Sequence, residues 1–154
     1  MIYFLGLGTN IGQLNVNLKT AMLLIHKIKN IQILTVSSFY KTKPWGHKEQ
    51  ADFLNCIIVI ESPDNPEFLL NELKNIEKTI GKNILFRWGP RIIDIDILFC
   101  DDLIVKNNDL EIPHPRVHER DFVLLPMMEI APYFVHPVYK KSIIELYETY
   151  MENN

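Results

Sequence analysis

Arg87-Trp88-Gly89-Pro90-Arg91-Ile92-Ile93-Asp94-Ile95-Asp96-Ile97 is the stretch whose reading decides the fold. Its tail alternates strictly, with Ile93, Ile95 and Ile97 on one parity and Asp94 and Asp96 on the other. Strand side chains alternate faces, so such a segment buries its isoleucines and aims both carboxylates to the same side. Residues i and i+2 on one strand face lie about 6.5–7 Å apart at Cα, a gap two carboxylates can close onto a shared cation. Just upstream, Gly89-Pro90 interrupts regular structure and brings Arg87 and Arg91 beside the indole of Trp88. Carboxylates suit a hard divalent metal and guanidinium groups suit phosphate, so with an aromatic plate the combination points to nucleotide chemistry. The plainer alternative is a half-exposed strand with a solvated aspartate pair and surface arginines.

Before this stretch, Lys82 to Arg91 reads as a ten-residue loop, and Phe68, Leu69, Leu70, Leu73, Ile76 and Ile80 recur at helical spacing. That helix opens with Pro66 at its first position and closes at Gly81, expected as a left-handed C′ residue. Glu77 on it faces either solvent or the aspartate pair. Phe53 to Ser62 is a long β run interrupted by Asn55, a base-reading amide or an edge residue. The polar loop Lys41 to Asp52 holds Pro44, Trp45, Gly46 and His47, and a tryptophan set there suggests a lid or ligand platform. Ile31 to Tyr40 is expected as one strand and Leu14 to Lys29 as an amphipathic helix. His26, within that helix, has no signal of a ligand. Ile2 to Gly8 reads as a buried central strand, and Gly6-Leu7-Gly8-Thr9-Asn10-Ile11-Gly12 resembles a phosphate loop without matching a Walker or dinucleotide fingerprint. A strand-to-helix turn with Thr9 or Asn10 near the N-cap accounts for it equally well.

After the aspartate pair the strand runs to about Phe99, and Asp101-Asp102 turns the chain into a short edge strand, Leu103 to Val105. Ile112-Pro113-His114-Pro115-Arg116 is rigid, and two flanking prolines favour a ligand contact for His114. Glu119-Arg120-Asp121-Phe122 opens an apolar helical run through Met128, and Ser142 to Tyr150 reads as a packing helix.

The order is βαβ–βαβ with extra C-terminal helices. It implies an α+β, ferredoxin-like βαββαβ sandwich with a mostly antiparallel sheet, in a single domain spanning residues 1–154. A flavodoxin-like parallel sheet would need a helix between Tyr40 and Phe53, where the loop is too short. The chain has 154 residues, 47% hydrophobic and 23% charged, values of an ordinary globule. A net charge of −3 excludes a global basic field toward nucleic acid or anionic lipid. The N-terminus lacks the basic and apolar regions of a secretory signal, and no apolar run approaches a membrane span. Cys56 and Cys100, in apolar strands, are expected as free thiols of a cytoplasmic protein.

Taken together these residues resemble the 6-hydroxymethyl-7,8-dihydropterin pyrophosphokinases of folate biosynthesis. The family motif (basic residue, x, Gly, Pro, Arg, two residues, Asp, aliphatic, Asp, two aliphatics) is matched through Arg87 to Leu98. Gly8-Thr9-Asn10, Val36 to Tyr40 with Thr42, Phe53-Leu54-Asn55, Ile112 to Arg116 and Arg120-Asp121-Phe122 agree as well. The resemblance runs from Tyr3 to about Pro132. It implies transfer of the β,γ-pyrophosphoryl group of ATP to the pterin hydroxymethyl oxygen with release of AMP. Asp94 and Asp96 would bind two Mg²⁺ ions; Arg91, His114 and Arg120 would hold the triphosphate, with Lys82 as a further clamp. Asn55 and the backbone from Thr42 through Pro44 to Trp45 would read the pterin edge, while Phe53 and Phe122 sandwich its ring. Trp88 would ride on a closing loop, Glu77 would lie near the metals, and Leu70, Ile97 and Leu110 would surround the adenine. The chain departs from the family at Phe53, often Tyr, at Lys74, sometimes Gln, and at Lys82, its only basic residue before Arg87 in a loop often carrying two arginines. ATP and the pterin are the expected partners, with no nucleic acid or membrane, for a monomeric enzyme. Two readings compete: another Asp-x-Asp metal-dependent nucleotidyl or glycosyl transferase, and a non-enzymatic ferredoxin-like module binding RNA or a regulator.

Overall fold

In a computed structural model describing residues 1–44, 50–81 and 92–154, the chain forms four α-helices and one main sheet. The strands are β1 (Ile2–Thr9), β2 (Gln32–Val36), β3 (Tyr40–Thr42), β4 (Phe53–Glu61) and β5 (Asp94–Cys100). The helices are α1 (Leu14–His26), α2 (Pro66–Ile80), α3 (Asp121–Ile130) and α4 (Ile143–Asn153). The sheet order is β2-β4-β1-β5, with β3 also pairing β4, and every pairing is antiparallel. The α+β class and the ferredoxin-like order with added C-terminal helices are therefore present. Among the described residues no helix is long and apolar enough to cross a membrane.

Period-two alternation divides the core into two clusters. On β1, Tyr3, Leu5 and Leu7 face α1 and α2, where they pack with Leu18, Ala21, Ile25, Leu69, Leu73 and Ile76. Cys56, Ile58 and Ile60 of β4 and Ile95 and Ile97 of β5 complete that layer. Phe4, Ile57, Val59, Leu98 and Phe99 lie on the opposite face under Val123, Leu124, Met127, Ile143 and Leu146. Consecutive Leu98 and Phe99 share a face because the β1–β5 register shifts there: Leu5 pairs Ile97, but Phe4 pairs Phe99. Helices thus cover both faces, except where the second face of β1, β4 and β5 carries Gly6, Gly8, Asn55, Asp94 and Asp96.

Several sequence expectations need correction. Gly6 and Gly8 belong to β1, as the strand expected over Ile2 to Gly8 had them, but the N-cap of α1 is Gln13, not Thr9 or Asn10. Helix α1 ends at His26, short of Lys29, and His26 is exposed. Ile31 to Tyr40 is not one strand: it breaks at Ser37, whose Oγ accepts the Ile57 N–H at 2.8 Å while its own N–H donates to the Ile57 carbonyl at 2.8 Å. A hydroxyl standing in for a backbone carbonyl keeps the ladder satisfied while the chain turns. The expected edge strand at Leu103 to Val105 is instead β6 (Val105–Lys106), which pairs β7 (Glu111–Ile112) in a separate two-stranded sheet. Gly81 caps α2 with φ −80°, outside the left-handed region. The start of α2 is as expected, with Pro66 in the first turn and the Asn65 side chain accepting from the Phe68 N–H at 2.9 Å. A capping box of Ser142 and Glu145 opens α4.

Candidate active site

Cross-strand pairing lays the site out in rows. Residues directly opposite in an antiparallel pair present their side chains on the same face. Asp94 pairs Gly8, Gly8 pairs Asn55 and Asn55 pairs Tyr40, making one row across β5, β1, β4 and β3. Asp96, Gly6 and Ile57 make the next. Both central positions are glycine, so the floor between the carboxylates and Asn55 is bare backbone. A Cβ on Gly8 would sit 2.7 Å from Asn55 Oδ1, and one on Gly6 3.3 Å from Leu98 Cδ1. The cavity these glycines leave is about 220 Å³, the scale of a small heterocycle rather than a drug-sized ligand.

Its walls come from five stretches: Gly6 and Gly8 of β1, Lys43 just after β3, Phe53 and Asn55 of β4, Asp94 and Asp96 of β5, and Arg120, Phe122 and Val123 at the start of α3. Asp94, Asp96, Phe53, Asn55, Arg120 and Phe122 were all candidates from sequence, and the fold brings them into one pocket. Asn55 is buried, and its Nδ2 donates to Thr42 Oγ1 at 2.6 Å. That bond directs Oδ1 across Gly8, where it can accept from a ligand N–H. Thr42 itself is buried on β3, and Pro44 follows it half-buried.

Arg120 stands as the extended N-cap residue of α3, its guanidinium carbon 5.3 Å from the Phe122 ring centroid. A cation over that ring both places the arginine and stiffens the aromatic wall. Burial presses the Arg120 guanidinium down from its ordinary value, and Asp96 opposes the shift. His114 is tied to β5 through its N–H, which donates to the Leu98 carbonyl at 3.0 Å. Burial lowers its imidazole pKa, with Asp96 raising it and Arg120 lowering it further. Its Nδ1 accepts the Arg116 N–H at 3.3 Å, which leaves Nε2 as the protonated nitrogen of the neutral ring and a donor.

The softer candidates lie elsewhere. Leu70, Lys74 and Leu110 line a second groove with Glu67, Asn71, Asn107, Asn108 and Asp109, between α2 and the loop before β7. Ile97 is buried on the α1/α2 face, opposite to the aspartates. Glu77 is half-buried on α2. Lys82, Trp88 and Arg91, with Arg87, Trp45 and His47, lie outside the described residues.

For four further residues the sequence reading gave no such specific part. Gly6 and Gly8 form the pocket floor, a role signalled by glycines two apart on a strand rather than in a loop. Lys43 lines the pocket directly after Thr42. Thr9 anchors the approach to β5, its hydroxyl donating to the Ile92 carbonyl and accepting from Asn17 Nδ2 at 3.1 Å.

The donor set suits magnesium better than zinc. Among the described residues no three His, Cys, Asp or Glu side chains cluster as a metal cage. Magnesium keeps several waters and takes one or two carboxylates plus substrate phosphates, which Asp94 and Asp96 on one strand face could provide. Cys56 also lines the pocket, but burial pushes its thiol up to about 12, so it stays protonated and unreactive.

Residues 4–132 match the family model described as 7,8-dihydro-6-hydroxymethylpterin-pyrophosphokinase (HPPK). The chain is 37% identical over 143 residues to the 2-amino-4-hydroxy-6-hydroxymethyldihydropteridine pyrophosphokinase of Aquifex aeolicus, covering 92% of this chain and 88% of that one. It is 40% identical over 134 residues to the protein of the same name from Haemophilus influenzae, covering 87% and 84%. It superposes on the solved Plasmodium falciparum HPPK-DHPS wild type with STZ-DHP with a TM-score of 0.79 at 20% identity, covering 99% of this chain and 43% of that longer one. The last likeness speaks for the fold; the family model and the two relatives, over nearly the whole chain, show that it belongs to the 7,8-dihydro-6-hydroxymethylpterin-pyrophosphokinase family.

Proposed function

We propose that this protein transfers the β,γ-pyrophosphoryl group of ATP to the hydroxymethyl oxygen of 6-hydroxymethyl-7,8-dihydropterin, releasing AMP, as an enzyme of folate biosynthesis. Family membership supports the reaction, and one observation supports the residue roles: a carboxylate pair, a buried amide, two aromatics and a guanidinium converge on one small cavity. The pterin ring lies between Phe53 and Phe122 over the bare floor at Gly8, with Asn55 Oδ1 accepting from its amide edge. Aromatic stacking holds the ring, while the buried amide rejects rings lacking the matching donor.

Arg120 and the Nε2–H of His114 hold the triphosphate beside the carboxylates; the roles expected of Arg91, Lys82 and Trp88 fall on residues outside those described. Asp94 and Asp96 would hold two magnesium ions. When bound, these neutralise phosphate charge and polarise the reacting phosphorus. Leu70, Lys74, Leu110 and Ile97 are assigned to the nucleotide end, and Glu77 to the neighbourhood of the metals. The residues position the hydroxyl and the leaving AMP oxygen in line and stabilise charge in a water-poor site. The reading includes a single-domain, monomeric, cytoplasmic protein.

The RNA-binding alternative gains nothing here. Readers of that kind expose aromatics on an open sheet, whereas helices cover both faces and the open end carries Asp94 and Asp96. The test of the residue roles is equilibrium pterin binding in the presence of a non-hydrolysable ATP analogue. Asn55→Ala and Phe122→Ala should each weaken the pterin by about tenfold or more. Unchanged affinity in both would remove the pterin from this cavity.

A further inference from the structure

We propose that Glu129 is a positioning residue for the acceptor pocket, acting through helix α3 on the distance between its two aromatic walls; this deepens the pterin assignment and rests on it. Glu129 sits on the last turn of α3, exposed, about as far from Phe122 as a ten-residue helix allows. Its carboxylate nevertheless takes three hydrogen bonds, two from Ser38 in the break after β2 and one from Tyr40 at the start of β3. The Ser38 N–H donates to Oε1 at 2.9 Å, the Ser38 hydroxyl to Oε2 at 2.8 Å and the Tyr40 hydroxyl to Oε1 at 2.8 Å. Charge-assisted bonds converging from two residues specify one geometry rather than merely adding stability.

The partners explain why this geometry matters to the pocket. Tyr40 ends the row that runs Asp94, Gly8, Asn55, Tyr40 across the sheet. Two residues on, Thr42 of β3 pairs Phe53 and accepts the Asn55 amide. One wall of the pocket is therefore carried by β3 and β4, and the other, Arg120, Phe122 and Val123, by the first turn of α3. Glu129 joins the helix that carries the second wall to the strand that orders the first. Ser37, next to the clamp, is locked to Ile57 in both directions, so the clamp bears on a fixed part of the sheet. Pro126 lies between clamp and wall and locks one φ of the connecting helix.

The experiment compares wild type, Glu129→Ala, Glu129→Gln, Tyr40→Phe and Ser142→Ala by pterin KM, ATP KM, kcat, direct pterin affinity and Tm. Glu129→Ala should raise the pterin KM by about three- to tenfold while ATP KM and kcat stay within about twofold. Glu129→Gln should restore most of it, because its amide oxygen still accepts and its NH₂ can donate to the Ser38 hydroxyl. Tyr40→Phe, which deletes one bond and keeps the ring, should give a smaller change of the same kind. Ser142→Ala, which uncaps α4, should lower Tm and leave the pterin KM alone. A wild-type pterin affinity in Glu129→Ala overturns the inference, as does an equal rise in Ser142→Ala, which would make it general loosening. Absence of AMP from the wild type would instead contradict the reaction, and direct binding still reads the clamp.

Discussion

Gly8→Ala adds one methyl group at the centre of the pocket floor, and the structure sets the sign of its effect. In an ordinary strand the change gains about 0.5–1 kcal/mol from reduced backbone entropy. Here the new Cβ would stand 2.7 Å from Asn55 Oδ1, against an ordinary carbon–oxygen contact of about 3.3 Å or more. Asn55 is buried and held by its 2.6 Å bond to Thr42, so it cannot swing aside without breaking that bond. Breaking a buried hydrogen bond, or accepting the overlap, costs about 1–3 kcal/mol, which outweighs the entropic gain. The net loss, about 1 kcal/mol at the middle of these ranges, should lower Tm by roughly 2–4 °C in a chain of this size. The pterin KM should rise about tenfold or more, since Asn55 Oδ1 no longer meets its partner. Gly6→Ala is the comparison: its Cβ meets only the flexible end of Leu98 at 3.3 Å, and Tm should move by no more than about 2 °C. Thermal melts and pterin titrations of both variants read the two effects. Gly8→Ala with wild-type Tm and wild-type pterin KM would refute the packing argument and the assignment of Asn55 together.

Further outcomes follow from other parts of the structure. Asp96→Ala should fold normally yet lose turnover by about a thousandfold or more, and EDTA should do the same to the wild type; near-normal rates in Mg²⁺ would sink the metal assignment. His136 is buried at 3% exposure with its pKa lowered to about 4, by desolvation first and then by His118. Its folded value lies below the unfolded value of about 6.5, so the unfolded chain takes the proton first. Stability should therefore be intact above about pH 6.5 and fall by as much as about 3 kcal/mol as pH drops toward 4. His136→Gln should flatten that limb of a Tm-against-pH curve, and an unaltered slope would show that other groups carry it. Ser142→Ala should cost about 1 kcal/mol through loss of the capping box, read by denaturant unfolding, with activity unaffected.

How much of this was legible in the sequence depended on whether the signal was local. The alternation of Ile93 to Ile97 placed both aspartates on one face of β5, and two βαβ units implied a mostly antiparallel, ferredoxin-like sheet. The start of α2 was readable from Pro66, because the constraint of a proline at the first helical position acts within one turn. The glycines of β1 were placed in the strand but not in the pocket floor, since Gly6 and Gly8 matter through Asp96, Asp94 and Asn55, partners on other strands. The break at Ser37 was invisible for the same reason: its hydroxyl serves Ile57, and its neighbour Ser38 serves Glu129, 91 residues away. Lys43 fell within the Thr42 to Trp45 backbone that the resemblance assigned to the pterin edge, though its own residue type gave no sign of it. The resemblance supplied His114, Arg120 and Phe122 with roles, and the fold puts them beside the aspartates; it leaves Ile97 on the far face of β5.

The measurement that bears most directly on the central claim follows the phosphates. Purified protein is given Mg²⁺, 6-hydroxymethyl-7,8-dihydropterin and ATP labelled at either the β or the γ position, and nucleotide products are resolved from the pterin. Pyrophosphoryl transfer predicts pterin-dependent AMP, with both labels arriving together on the pterin product. ADP with only the γ label transferred, or nucleotide products formed equally well without the pterin, would contradict it.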